Sequence, residues 1–122
     1  MTARWSQKKS VRQRFVLTLA EHQGWTCPIC GRALEQPSRR GQQTGLSIDH
    51  VWPRLGSEGR TGLYGNALAT HAICNNAKGA RVPTGCEIIW LTFVNAKMDL
   101  EPHPRTWHTL GRTPTLADLW PA

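Results

Sequence analysis

Apolar residues at Val11, Phe15, Val16 and Leu19 recur at helical spacing between Ser10 and Gly24, with Arg12 and Arg14 on the polar positions between them. Ser10 and Gln13 stand three apart, as a capping box requires, so the pattern predicts a basic amphipathic helix over residues 10–23. A Cys-Pro-Ile-Cys-Gly turn follows, and then "EQPSRRGQQTG", which reads as an exposed basic loop. The apolar run from Leu46 to Trp52 is a strand, and Pro53 ends it. Four glycines in the thirteen residues of "PRLGSEGRTGLYG" exclude a long regular element there. That stretch reads as a loop returning into a short strand near Leu63 and Tyr64, which completes a ragged hairpin. In "NALATHAICNNAKG", Leu68, Ala72 and Ile73 lie near helical spacing and Gly79 closes the segment, so a helix is expected. Thr84 and Glu87 repeat the capping logic at the head of a more apolar helix over residues 84–97. Beyond Glu101, Pro102, Pro104, Pro114 and Pro121 break any long element, while Trp107 and Trp120 imply a tail packed back on the body. The expected class is α+β.

With 122 residues the chain forms one domain with one core. Lys and Arg outnumber Asp and Glu by 15 to 8. The excess is uneven: Arg4, Lys8, Lys9, Arg12, Arg14, Arg32, Arg39 and Arg40 face only Glu21 and Glu35 in the first forty residues. Such asymmetry suggests a polyanionic partner, with solubility as the plainer explanation. No apolar stretch approaches the roughly 20 residues of a membrane span, and the basic N-terminus is not followed by a signal-peptide pattern. The chain therefore reads as soluble and intracellular.

Cys27 and Cys30 place two thiolates on one turn, a spacing that in a reducing compartment points to metal rather than to a disulfide. Zinc takes four such ligands in a tetrahedron. His71 and Cys74, in an H-x-x-C spacing that a helix presents on one face, are the leading second pair; Cys86 competes with His71. Asp49 and Asn75 are donors of another kind, hard oxygens that suit Mg²⁺ or Mn²⁺. On a regular strand Asp49 and His50 point to opposite faces, so either a twist near Trp52 and Pro53 brings both to one site, or a surface acid sits beside a core histidine.

Taken together, C-P-I-C, I-D-H-V-W-P, the glycine loop, G-N-A-L and H-x-x-C-N-N-x-K-G resemble, in order and spacing, the HNH endonucleases that carry a structural zinc. The likeness spans residues 25–79. It implies a ββα-metal core with a zinc knuckle, flanked by N-terminal and C-terminal helices in a single HNH domain over residues 1–122. It further implies His50 as general base, Asp49 and Asn75 as ligands of one Mg²⁺ or Mn²⁺, and Asn66 as the middle Asn that holds the loop or orients His50. Zn²⁺ would sit on Cys27, Cys30, His71 and Cys74. Asparagine replaces the family's last histidine, and His71 stands where the second knuckle usually has a cysteine. The implied partner is duplex DNA, cut to 5′-phosphate and 3′-hydroxyl ends, and the implied location is the cytoplasm of a bacterial or phage-infected cell. Arg54, Arg60 and Lys78, with Arg39 and Arg40 of the basic loop, are the phosphate-binding candidates. A histidine base must be neutral, so activity should fall below about pH 6.5, the ordinary histidine pKa.

A zinc-containing nucleic-acid-binding module without catalysis is the rival reading. A redox role for Cys27 and Cys30 lacks the βαβ context it would need. Trp25, Trp52, Trp90 and Tyr64 read as packing residues, and His22, His103 and His108 belong to no pattern.

Overall fold

A computed structural model of the chain describes residues 2–37, 45–53, 65–101, 103 and 105, with side chains from residue 11 onward. The expected strand near Leu63 and Tyr64, the basic positions Arg39, Arg40, Arg54 and Arg60, and Trp107, His108 and Trp120 lie outside the described residues. Five elements follow one another: α1 (Thr2–His22), β1 (Leu46–His50), β2 (Ala67–His71), α2 (Ala72–Lys78) and α3 (Gly85–Lys97). The class is α+β, with one two-stranded antiparallel sheet among the described residues. No helix in them is long and apolar enough to cross a membrane.

α1 begins at Thr2, not at Ser10. The residues before Ser10 hold neither Gly nor Pro and are rich in Ala, Arg, Gln and Lys, all good helix formers. Ser10 is therefore an interior residue and caps nothing. Among the described side chains of α1, Val16, Leu19 and Ala20 lie in the core and Phe15 packs against it.

The segment after Gly65 corrects the sequence expectation. Residues 67–71 are a strand, paired with β1 in the register Leu46↔His71, Ser47↔Thr70, Ile48↔Ala69, Asp49↔Leu68 and His50↔Ala67. Ala67, Leu68, Ala69 and Thr70 are all buried, so this strand is covered on both faces and shows no two-residue alternation. A run of that kind cannot be told from a buried helix by periodicity alone. The helix is confined to α2, after which Gly79 turns the chain away.

β1 stops at His50, two residues short of the expected end. Past it, the Asn66 side chain supplies what a ladder would: Oδ1 accepts from the Trp52 N–H at 2.9 Å and Nδ2 donates to the Trp52 carbonyl at 2.9 Å. The main chain adds Val51 N–H to the Asn66 carbonyl at 3.0 Å. Pro53 then has no N–H to continue pairing.

α3 forms as its sequence predicts. Thr84 accepts from the Glu87 N–H while the Glu87 carboxylate accepts from the Thr84 N–H. Glu87 is buried and also takes two bonds from Arg81, at 2.7 and 3.2 Å, so the cap carries an ion pair behind it. Ile88, Leu91 and Val94 of α3 join Leu19 and Ala20 of α1, Leu68 and Ala69 of β2, and Val51 and Trp52 in one core. At about 25 cal/mol per Å² of apolar area buried, this cluster is what holds α1 and α3 on a sheet too small to be stable alone.

α1 docks on β2 through a buried polar group. Gln23 Nε2 donates to the Ala69 carbonyl at 2.8 Å and Oε1 accepts from the Ala69 N–H at 2.7 Å. The side-chain amide thus pairs with the outer edge of β2 as one residue of a third strand would, satisfying backbone groups that burial would otherwise orphan.

Candidate metal centre and hairpin junction

The chain leaves α1 through Gly24 and Trp25, both in the left-handed region at φ 60° and 56°. A bulky residue in that region is strained by about 1–2 kcal/mol. It is held there by Trp25 N–H to the Ala20 carbonyl at 2.8 Å and Leu34 N–H to the Trp25 carbonyl at 2.7 Å. Thr26 and Ala33 then bridge, and the loop they close is the cysteine knuckle. Inside it, Gly31 N–H donates to the Cys27 carbonyl at 2.8 Å, and Gly31 itself sits at φ 76°, where any side chain would be strained. That turn lets Arg32 N–H reach the Cys30 sulfur at 3.4 Å.

His71 and Cys74 come to this knuckle from the β2–α2 junction. His71 is the last residue of β2 and the N-cap of α2, so the pair straddles a strand-to-helix turn and does not share the helix face the spacing suggested. His71 makes no capping bond with its side chain. Its Nδ1 instead lies 3.4 Å from Cys30 Sγ and 3.7 Å from Cys74 Sγ. Its other nitrogen, Nε2, lies 3.0 Å from the Ala33 carbonyl. A carbonyl can only accept, so Nε2 carries the proton and Nδ1 is left with the lone pair that a metal needs.

The ligand atoms of Cys27, Cys30, His71 and Cys74 all lie within 4.8 Å of one another. A tetrahedral zinc with bonds of about 2.3 Å to sulfur and 2.0–2.1 Å to nitrogen has sulfur-to-nitrogen edges of about 3.6 Å. The two measured edges fall on either side of that value. The cluster could therefore hold a zinc ion, and its three thiols and one imidazole are a structural donor set with no open position. Cys86, the rival fourth ligand, is exposed at the start of α3 and is not a member.

The thiols titrate apart. The Arg32 N–H holds the Cys30 thiol below its ordinary value. Burial, followed by the neighbouring Cys30 and Cys27 thiols, pushes Cys74 up to about 11. Three sulfurs at such close quarters cannot all ionise without a cation between them. A dication removes that obstacle, which couples metal uptake to proton release and to the docking of the knuckle on the sheet.

A second cluster of polar residues lies where α2 crosses β1. Lys78, expected to meet phosphate, is instead buried at 5 % exposure. Its ammonium donates to Asp49 Oδ1 at 3.3 Å, to the His50 carbonyl at 3.1 Å and to the Val51 carbonyl at 3.0 Å. Three acceptors use all three of its protons, so Lys78 has no capacity left for DNA. Burial raises the Asp49 carboxyl above its ordinary value, and the Lys78 charge opposes the rise. Asn75 Nδ2 donates to Ser47 Oγ at 2.7 Å and to the Ile48 carbonyl at 3.2 Å. Both bonds use the nitrogen of the amide, so the oxygen is not engaged in pinning α2 to β1.

The side-chain contacts from α2 therefore fall on Ser47 and Asp49, one face of β1, and its remaining bonds go to backbone carbonyls. His50, half-buried, is the last paired residue of the strand, and a regular pleat directs its side chain to the opposite face from Asp49. Asn66 holds the strand exit by its two amide bonds to the Trp52 backbone.

Sequence patterns did not single out two residues beside this junction. The His103 ring stacks on Trp52 with centroids 6.2 Å apart and planes 20° from parallel. Arg105 donates from Nη1 to the Pro53 carbonyl at 2.9 Å and lies 5.9 Å from the Trp52 ring. Neither could be found from local spacing, because the contacts join segments some fifty residues apart. Gln23 was missed as well; its position just past α1, in line with the apolar stripe of Val16 and Leu19, is the one signal that marked it for burial.

Comparison with protein-family models, curated proteins and solved structures finds no significant match.

Proposed function

We propose that the protein is a divalent-cation-dependent DNA endonuclease or nickase of the HNH type. The observation that carries this reading is the short unit β1–β2–α2, in which Asn75 binds the backbone at Ile48, one residue from Asp49 and two from His50. A hairpin followed at once by a helix crossing its first strand is the arrangement a ββα-metal site requires. The adjoining Cys₃His cluster supports it, since a chain of this size gains from a zinc staple behind a small sheet.

In this reading the bend at Val51 and Trp52 turns the His50 side chain to the Asp49 side of the strand end, where in its neutral form it takes the proton from the attacking water. Asp49 and Asn75 offer a carboxylate and an amide oxygen that would hold Mg²⁺ or Mn²⁺, an ion that supplies charge stabilisation at the scissile phosphate. Lys78 holds the Asp49 carboxylate and the His50 carbonyl from beneath and acts as a positioning residue. Asn66 keeps the exit of the strand in place through Trp52.

A second reading, a zinc-built nucleic-acid-binding module without hydrolysis, is favoured by one feature: the Asp49 carboxylate already has a buried ammonium as partner. Supercoiled plasmid separates the two. The nuclease reading expects nicked or linear product with Mg²⁺ or Mn²⁺ and none from His50→Ala, with DNA binding retained. Cleavage that persists in His50→Ala removes the catalytic assignment, and an inert wild-type chain with each metal leaves the binding module.

A further inference from the structure

From the His50 carbonyl to the Pro53 carbonyl every backbone polar group is bonded, although the chain there has left the β1 ladder and bends at Val51 and Trp52. The His50 and Val51 carbonyls accept from Lys78 at 3.1 and 3.0 Å. The Val51 N–H donates to the Asn66 carbonyl, and the Asn66 amide takes both groups of Trp52. Pro53 has no N–H, and its carbonyl accepts from Arg105 Nη1 at 2.9 Å. Side chains thus stand in for a ladder along the bend, and they come from three separate places: the end of α2, the residue before β2 and the chain beyond α3.

Burial explains the first of these bonds. Val51 is 0 % and Trp52 8 % exposed, so their backbone groups need protein partners. Pro53 is only half-buried, so water could serve its carbonyl, yet an arginine fifty-two positions further on is ordered against it. The segment that carries this arginine is itself tied down. The Arg105 N–H donates to His103 Nδ1 at 3.2 Å, the His103 ring stacks on Trp52, and the guanidinium lies 5.9 Å from the same indole. At the other side of the bend, buried Asn95 of α3 donates to the Gly65 carbonyl at 2.9 Å and to the Glu101 carbonyl at 3.5 Å, which joins the residue before Asn66 to the chain leaving α3. The chain beyond α3 therefore braces the Trp52–Asn66 contact from both of its strands.

We propose that Arg105 is a positioning residue of the hydrolytic centre: by holding the Pro53 carbonyl and covering Trp52 it fixes the bend, and the bend fixes the direction of the His50 imidazole. The role rests on the nuclease reading, since it needs His50 as the base; the pinned bend does not. It also assigns a function to a residue outside positions 25–79, where the HNH likeness lies. A shift of about 1 Å at a reacting group costs up to about 100-fold in rate, so a brace at this distance is felt in catalysis without touching substrate.

The test compares Arg105→Met and Arg105→Lys with the wild-type chain, all full-length and zinc-loaded. With a duplex substrate and saturating Mg²⁺, Arg105→Met should lower kcat by about tenfold or more while KM and metal-free duplex affinity stay unchanged. Arg105→Lys, which keeps a donor for the Pro53 carbonyl, should recover most of that loss. A second readout needs no cleavage: in NMR spectra, Arg105→Met should shift the His50 ring signals and remove exchange protection from the Trp52 amide, with the Cys27 and Gly31 amides of the knuckle unaltered. Unchanged kcat in a folded Arg105→Met overturns the proposal. Weakened duplex binding at unchanged kcat also overturns it, making Arg105 a phosphate contact, and so does a loss of protection that extends to the knuckle, which is general destabilisation. A wild-type chain that never cuts, with His50 and Trp52 signals that still respond to Arg105→Met, loses the nuclease reading and keeps the pinned bend. One that cuts while Arg105→Met leaves kcat and those signals unaltered loses the positioning role alone.

Discussion

Replacing Lys78 by Met removes a positive charge from a site where the ammonium side chain is 1 % exposed and its Asp49 partner 3 %. Methionine keeps most of the volume, so the packing of α2 changes little and the electrostatic loss dominates. The carboxylate of Asp49 is left buried without its cation, and the carbonyls of His50 and Val51 each lose a donor. Breaking a buried pair from one side costs about 3–5 kcal/mol, against about 0–1 for a pair in solvent. At roughly 2 cal/mol/K of unfolding entropy per residue, a chain of 122 residues should melt about 12–20 °C lower. The assay is thermal and urea unfolding of the zinc-loaded protein, followed by circular dichroism. The sign of the pH dependence follows from Asp49. Its carboxyl is already raised by burial, and without Lys78 it rises further. A raised carboxyl favours the folded state at low pH and loses that contribution as pH climbs through its folded value. The deficit of the variant should therefore narrow as pH is lowered from neutrality. Lys78→Met/Asp49→Leu, which removes both charges, should recover most of the loss. A loss below about 1 kcal/mol, or a double variant no better than the single one, would refute the buried-pair account.

Three further outcomes test the rest. Elemental analysis should find one zinc per chain; His71→Ala should lower its occupancy and Cys86→Ser should not, and the reverse ordering would return Cys86 to the cluster. Chelation of that zinc should unfold or loosen the domain, visible as a drop in melting temperature that added zinc reverses. Asn66→Ala strips two bonds from Trp52 and should cost about 1–3 kcal/mol in urea titration, with plasmid cleavage reduced further than stability explains if the strand exit positions His50.

The two polar clusters are coupled by chain connectivity. His71 ends β2 and Lys78 ends α2, so α2 hangs between the Cys₃His cluster and a buried ammonium. A helix this short has no independent stability. Its position depends on the two anchors, Cys74 at the metal centre and the Asn75 and Lys78 bonds to β1. Metal loss should therefore be felt at Asp49 as well as at the knuckle.

Local chemistry was legible in the sequence because it is written at short range. Cys27 and Cys30 on one turn and the Thr84–Glu87 capping box each need only a few residues of chain geometry, and each stands in the structure as the spacing implies; His71 and Cys74 also reach the knuckle, but across a strand-to-helix turn and not from one helix face. Leu46 to His50 could be read as a strand for the same reason. What the spacing could not decide was which side of a helix-or-strand ambiguity won at residues 67–71. There the outcome depends on β1 offering its hydrogen-bonding edge and on Gln23, just past α1, closing the other edge at Ala69, and both lie far away in sequence. Burial of Lys78 was likewise invisible: a lysine near a helix end reads as solvated until the fold places one carboxylate and two carbonyls around it. The sequence alone thus marked the Cys27–Cys30 and His71–Cys74 pairs and the cap of α3, whose members are neighbours along the chain. The tertiary structure decided the second strand and the fate of the buried charge, because each rests on burial supplied by segments that only folding brings together.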